Sequence, residues 1–212
     1  MIAEWGYNLM ESITKYQEDK LECRLFRAII NGEMEESVMN QIQQSIEALK
    51  SQLEAVDLEI HQTGLKGFIP RPALLTSLRI ILPDKSSEQF NFLSNALEND
   101  QQGHNVSYRW LFEADGDSMF LDEIRSQEYA SISQYVESFS AFVAQQNQNT
   151  TLTAEEAERY LQQFDKNKPK YDIDRYLQRG FQTAIEHLNP KASIEKEKLY
   201  TNLKRGDLKM TK

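Results

Sequence analysis

Residue types that carry chemistry are present in this chain, but they do not assemble into a reactive pattern. His61, His104 and His187 stand far apart, without the H-x-x-x-H spacing or cysteine partners that a zinc site needs. There is no G-x-S-x-G nucleophile turn, and Gly64-Leu-Lys-Gly67 lacks the spacing of a phosphate-binding Walker loop. Carboxylates are plentiful, yet most fall on polar helix faces, and no nucleophile–base pair can be named. Cys23 is the only cysteine and sits beside Leu25 and Phe26, where it reads as a small buried hydrophobe. A lone cysteine excludes an intramolecular disulfide and points to a reducing compartment. The expectation is a non-catalytic chain without a cofactor.

The elements that would position any site are mostly helical. Ile2, Trp5, Leu9, Ile13 and Tyr16, then Leu21, Leu25 and Ile29, recur at helical spacing, so residues 2–30 read as helix, stopped at Asn31-Gly32. Val38, Ile42, Ile46, Leu49, Leu53, Val56 and Ile60 form the most regular stripe, close to a heptad seam, over 34–60. These two helices fit an antiparallel hairpin, and the second could instead pair with a helix of another protein. Pro70 and Pro72 open a helix carrying Leu74, Leu75, Leu78, Ile81 and Leu82. Pro83-Asp84-Lys85 breaks it, and Ser86 or Ser87 can cap the next, which carries Phe90, Leu93 and Leu97. After an acidic turn at 113–117, a long helix is predicted from about Ser118 to Gln146, with the stripe Ile132, Tyr135, Val136, Phe139, Phe142 and Val143. Thr153 and Glu156 form a capping-box pattern for a helix to Phe164, and residues 172–188 read as a further helix.

Two turns stand out within Gln62–Phe112. Gly67-Phe68-Ile69 and Gly103-His104-Asn105-Val106 each join a turn glycine to a β-branched residue, and each lies between helical patterns. This frame resembles the paired EF-hand of the calmodulin-like family. There, alternate loop positions supply oxygens to calcium, a glycine makes the sharp turn and a Glu closes the loop. The resemblance implies that Gly67 and Gly103 shape the loops and that Ile69 and Val106 meet in a short β-bridge. The ligand positions are degenerate. The first loop offers Gln62, Gly64, Lys66, Pro70 and Ala73, with no carboxylate. The second offers Glu98, Asp100 and Gln102, but Trp110 or Arg109 replaces the closing Glu. A third EF-hand-like unit is similar over 151–190, with a loop starting at Asp165 and Asn167, Pro169 in the glycine position, Tyr171 at the bridge and Arg175 where the closing Glu belongs. No metal is expected at Glu98, Asp100, Gln102, Asp165 or Asn167.

The fold expected is therefore all-α. Residues 1–61 would be a helical hairpin or coiled-coil-like segment, 62–146 a degenerate EF-hand pair plus a long helix, 151–190 the third unit and 191–212 a basic tail. The resemblance implies an adaptor that binds partner helices without calcium. The residues expected to face such partners are Leu78, Ile81, Phe90 and Leu93, with Val38, Ile42, Leu49, Leu53 and Val56 on the heptad helix. Degenerate EF-hand chains with coiled-coil leaders also resemble small structural proteins of the ciliary and flagellar axoneme. That likeness implies cytoskeletal placement, with tubulin or axonemal complex subunits as partners. The alternatives are a calcium sensor regulating another protein and an unrelated helical interaction domain.

Charge and composition bound these readings. The net charge of −9 argues against nucleic-acid binding. Lys191, Lys196, Lys198, Lys204, Arg205, Lys209 and Lys212 outnumber Glu195, Glu197 and Asp207 in the last segment, which suits an acidic surface. No run approaches the roughly 18 apolar residues of a membrane span, and the first residues lack the basic region of a secretory signal, so neither a membrane partner nor secretion is expected.

Overall fold

The apolar steps from Val38 to Leu53 form one helix, and the chain covers them itself. In a computed structural model that describes residues 2–18, 20–113 and 117–206, this helix is α3 (Glu36–His61). Val38, Ile42, Ile46, Leu49 and Leu53 are all buried. Val56 is only half-buried and Ile60 is exposed, because the buried face at that level is taken by Asp57. The chain is mostly helical, with two short antiparallel strand pairs. It divides into two compact units. One comprises Asn40–Tyr129, and the other comprises the segments up to Met39 and from Ala130 onward.

In the Asn40–Tyr129 unit, α3 leads through a loop into β1 (Ile69–Pro70) and α4 (Arg71–Ile81). Pro70 sits at the N-cap of α4 and Pro72 within its first turn, where a missing N–H leaves no bond unmade. Ser86 and Gln89 make a reciprocal capping box that starts α5 (Ser87–Asp100). A second loop carries β2 (Asn105–Val106) into α6 (Tyr108–Glu113). Ile69 pairs with Val106, and Pro70 with Asn105. Leu74, Leu78, Phe90, Leu93, Leu97 and Leu111 are buried around this pairing. Each side chain of that size contributes about 1.5–3 kcal/mol on burial. The middle three residues of the acidic turn at 113–117 lie outside the described residues.

The other unit begins with α1 (Ile2–Tyr16) and α2 (Leu21–Ile30), which pack on each other. The single helix expected over 2–30 is thus two, parted after Tyr16. The long helix α7 (Met119–Gln146) enters this unit at Ala130 with Ile132, Val136, Phe139 and Val143 buried. A short loop then leads to β3 (Thr151–Thr153) and α8 (Ala154–Phe164), which starts in the Thr153–Glu156 capping box. α9 (Lys170–Phe181) follows and ends at Gln182, whose φ of 52° is left-handed. A short 3-10 turn (Ile185–His187), β4 (Ser193–Glu195) and α10 (Lys196–Lys204) complete the described chain. Leu152 pairs with Ile194, flanked by Thr151 with Glu195 and Thr153 with Ser193.

In the segment expected as a basic tail, β4 is hydrogen-bonded to β3, and α10 packs on α9 with Leu199 and Leu203 buried. Lys209 and Lys212 lie outside the described residues. The helix expected over 172–188 stops at Phe181, because the left-handed Gln182 lets Thr183 N–H bond the Gln178 carbonyl and closes the last turn. The third loop is also misplaced. Residues 165–169 only link α8 to α9, Tyr171 lies on α9 at 73% exposure, and the strand is Thr151–Thr153, ahead of α8. No helix among the described residues is long and apolar enough to cross a membrane.

Candidate functional site

The loop between α3 and β1 is organised by one carboxylate. Asp57 lies one helical turn after Leu53, on the buried face of α3, and is 0% exposed. Its Oδ2 accepts the backbone N–H groups of Lys66 and Gly67, both at 2.8 Å, and the Tyr108 hydroxyl at 2.8 Å. Its Oδ1 accepts the His61 Nδ1–H at 2.6 Å. Burial alone would raise the Asp57 pKa, but the bonds from Gly67, Tyr108, His61 and Lys66 outweigh it and hold the carboxyl below its ordinary value. Burial, followed by the neighbouring Asp57 charge, pushes the Tyr108 phenol well above its ordinary range. Asp57 is therefore a buried anion that holds two loop amides, the α6 tyrosine and a histidine of its own helix. Gly67 takes φ +81°, and a Cβ there would lie 3.2 Å from Arg109 Nε. The turn thus needs glycine both for its backbone and for the close approach of Arg109.

The second loop is closed by the opposite charge. Arg71, the first residue of α4, sends its Nε–H to the Gly103 carbonyl at 3.0 Å and its Nη2 to the Gln101 carbonyl. Its backbone N–H bonds the His104 carbonyl at 2.7 Å. Gln101 then reaches forward: its Nε2 donates to the Ser107 carbonyl at 2.9 Å, and its Oε1 accepts the Ser107 N–H at 2.8 Å. Carbonyl oxygens converging on a cation are the inner shell of a calcium loop. In this loop the cation that meets them is a guanidinium on the same chain.

In the other unit, the loop before β3 follows the same logic. Lys196 Nζ donates to the Asn147 carbonyl at 2.6 Å, and Asn147 Oδ1 accepts the Asn149 N–H at 2.7 Å. The pairing of β3 with β4 is extended at both ends by Ala154 N–H on the Ala192 carbonyl and Lys196 N–H on the Thr150 carbonyl.

The oxygen-bearing residues singled out in the sequence are scattered or already engaged. Asp100 ends α5 and accepts Ser118 Oγ–H at 2.9 Å, Met119 N–H at 2.8 Å and Phe120 N–H at 2.9 Å, so it caps α7. Glu98, Gln102 and Asn167 are exposed. Asp165 accepts the Tyr135 hydroxyl at 3.3 Å and pairs at 3.3 Å with Lys168, whose side chain is wholly buried between the rings of Tyr135 and Tyr176. Among the described residues, no three His, Cys, Asp or Glu side chains converge as a metal site would require.

Most of the residues expected to face partners are buried. Val38, Ile42, Leu49, Leu53, Leu78, Phe90 and Leu93 are buried, and only Ile81 and Val56 retain partial exposure. A groove on those side chains would require this packing to open. Large apolar side chains are exposed elsewhere: Trp5 (67%), Tyr7 and Tyr16 on α1, and Phe26 and Ile30 on α2. The residues that sequence reasoning missed are Asp57, Tyr108 and Arg71. Asp57 alone left a signal, as a carboxylate in register with the apolar seam. No protein-family model, curated protein or solved structure matches this chain.

Proposed function

We propose that this chain is a non-catalytic adaptor built from two EF-hand-like helix pairs, one around Ile69–Val106 and one around Leu152–Ile194, that binds partner proteins independently of calcium. The observation that carries this reading is the closure of both loops of the first pair by the chain's own charges. Asp57 holds the amides of loop one, and Arg71 holds the carbonyls of loop two. In a calcium sensor the ion supplies that closure, and its arrival changes the angle between helices. A loop closed from within has no such trigger, so its helices keep one arrangement. Partner contact then falls to surfaces exposed in that arrangement. Trp5 and Tyr16, eleven residues apart, fall on one exposed face of α1, and that face is suited to an apolar partner surface. Placement on the cytoskeleton, in the ciliary or flagellar axoneme, belongs to the same proposal through the resemblance of degenerate EF-hand chains with coiled-coil leaders.

Calorimetric titration of the purified chain with calcium tests the core of this reading. The expected trace shows no saturable heat, and micromolar binding would make the chain a sensor instead. Affinity capture from extracts of ciliated cells tests the placement. Enrichment of tubulin or axonemal subunits, lost with Trp5→Ala, is the expected result. Recovery of cytosolic enzymes alone counts against it.

A further inference from the structure

A groove of about 530 Å³ lies between α8, α9 and the 3-10 turn, and its chemistry is divided. Its apolar side is made by Leu177, Ile185 and Leu188, the first buried and the other two half-buried. Its charged side holds the carboxylates of Glu155, Glu158 and Asp174 against the single ammonium of Lys170.

Ion pairs across the groove fix where these charges stand. Lys170 Nζ pairs with Glu158 of α8 and lies 3.3 Å from Asp174 Oδ1 of α9. The ammonium is therefore held between the two helices that wall the groove, with a carboxylate turned toward it from each. The Lys170 side chain is 64% exposed, so the pair is open to a ligand. Lys170, Asp174 and Leu177 are spaced four and three apart on one face of α9, which sets the charge beside the apolar side. Lys170 is also the first residue of α9, where the helix dipole disfavours a cation. The carboxylates, and not the helix, hold a cation there.

An anion finds no backbone donors at this end of α8. The Ala154 and Glu155 amides donate to the Ala192 and Pro190 carbonyls at 2.9 and 3.0 Å, and the Glu156 amide donates to Thr153 Oγ. Among the described residues, no carboxylates converge as a metal ion would require. The complement of this groove is a cation carried next to apolar side chains. A peptide in which Lys or Arg neighbours Leu-like residues has that form, and the chain's net charge of −9 favours its approach.

We propose that this groove binds a basic, apolar segment of a partner protein, with its apolar side chains on Leu177, Ile185 and Leu188, its cation on Glu155, Glu158 and Asp174, and Lys170 as an internal competitor for the same carboxylates. This adds a ligand class to the adaptor reading and rests on it only in that the ligand belongs to a protein.

Fluorescence anisotropy of a labelled Lys-Leu-Leu-Lys-Leu-Lys peptide against the full chain tests the site. The same peptide with Glu for Lys, the same peptide with Ser for Leu, and spermine serve as comparison ligands. The expected result is saturable binding of the first peptide, weakened by added salt and about tenfold or more tighter than that of the Ser peptide or spermine. Asp174→Asn should weaken it about threefold to tenfold, between the ranges for exposed and buried charge pairs. Ile185→Ser should weaken it about fivefold, as expected for a half-covered apolar side chain. Lys170→Gln should tighten it several-fold, roughly what removing an exposed competing charge produces, and a purely structural ion pair would not give that sign. Lys170 is exposed at a helix start, so this variant remains informative if either of the others melts early in a parallel unfolding scan. The proposal is overturned by absence of binding, by equal binding of any comparison ligand, or by indifference to all three substitutions. It is also overturned by a dimer that forms as the chain is concentrated and is broken by Asp174→Asn, which would seat a second copy in the groove. A failed peptide titration with silence toward calcium removes this site and leaves the adaptor reading. Saturable calcium binding with intact peptide binding does the reverse.

Discussion

The hydroxyl of Tyr108 donates to the carboxylate of Asp57 at 2.8 Å across 51 residues of sequence, and this bond ties the first residue of α6 to the last turns of α3. The same oxygen holds two loop amides, so one buried charge joins both halves of a helix pair. Removing groups from this cluster should therefore reveal how much the pair depends on it. Asp57→Ala leaves the Lys66 and Gly67 amides and the Tyr108 hydroxyl without their acceptor, and should cost about 3–5 kcal/mol. Tyr108→Phe removes one of four donors and should cost about 1–2 kcal/mol. Urea unfolding curves of the two variants check the order. Equal losses, or a smaller loss for Asp57→Ala, would show that the cluster does not close the loop.

Acid stability should carry the signature of Asp57. Its folded pKa lies below that of an unfolded aspartate, near 3.9. The unfolded chain therefore takes up the proton first as pH falls. The stabilising contribution is complete above about pH 5, shrinks as pH drops through the unfolded value, and is gone below the folded one. Helical signal followed against pH should show steep loss in this acid range. Asp57→Asn should be less stable at neutral pH and should lose less as acid is added.

Arg71 provides a charge test of the second loop. Arg71→Leu keeps a good helix former at the start of α4 but leaves the Gly103 and Gln101 carbonyls without the guanidinium. A cost of about 1.5–3 kcal/mol is expected, the range for hydrogen bonds to a charged group. Added calcium should not restore the lost stability, because Glu98 and Gln102 are exposed and Asp100 is committed to capping α7. Thermal scans of the variant with and without calcium give the answer directly.

Gly67→Ala should destabilise through the backbone and through crowding together. The residue holds φ +81°, and the new methyl would press on Arg109 at 3.2 Å. A left-handed conformation costs an alanine about 1–2 kcal/mol. Gly103→Ala, at φ +113° but with open space around it, should suffer only the backbone part. Paired melting curves measure both, and absence of any loss at Gly67 would contradict the close packing of Arg109.

The sequence was legible wherever a local signal had a local cause. Capping at Thr153, prolines opening α4 and the seam through Leu53 each depend on neighbours within a turn or two. Gly67 and Ile69 stood out because the pattern of a turn glycine before a β-branched residue, common by itself between helices, recurs at Gly103 and Val106. The second strand pair was harder. Thr151-Leu152-Thr153 and Ser193-Ile194-Glu195 show strand alternation, but each is too short to rise above helical context, and no glycine marks the turn before either one. The polar run at Asp165–Lys170 drew the reading of a loop instead, although Lys168 is buried there against two tyrosines. Asp57 was visible as a charge on an apolar face, yet its donors come from a loop and from a helix far along the chain. Arg71 gave no sign at all, since a surface arginine at a helix start is common and its carbonyl partners lie 30 and 32 residues away.

Hydrogen exchange at the amides of Lys66 and Gly67 tests the central claim most directly. Both donate to Asp57 and should exchange slowly and at the same rate in calcium and in chelator. They should exchange fast in Asp57→Ala under either condition. Protection that appears only when calcium is added would contradict an internally closed loop and return the first helix pair to the class of metal-triggered sensors.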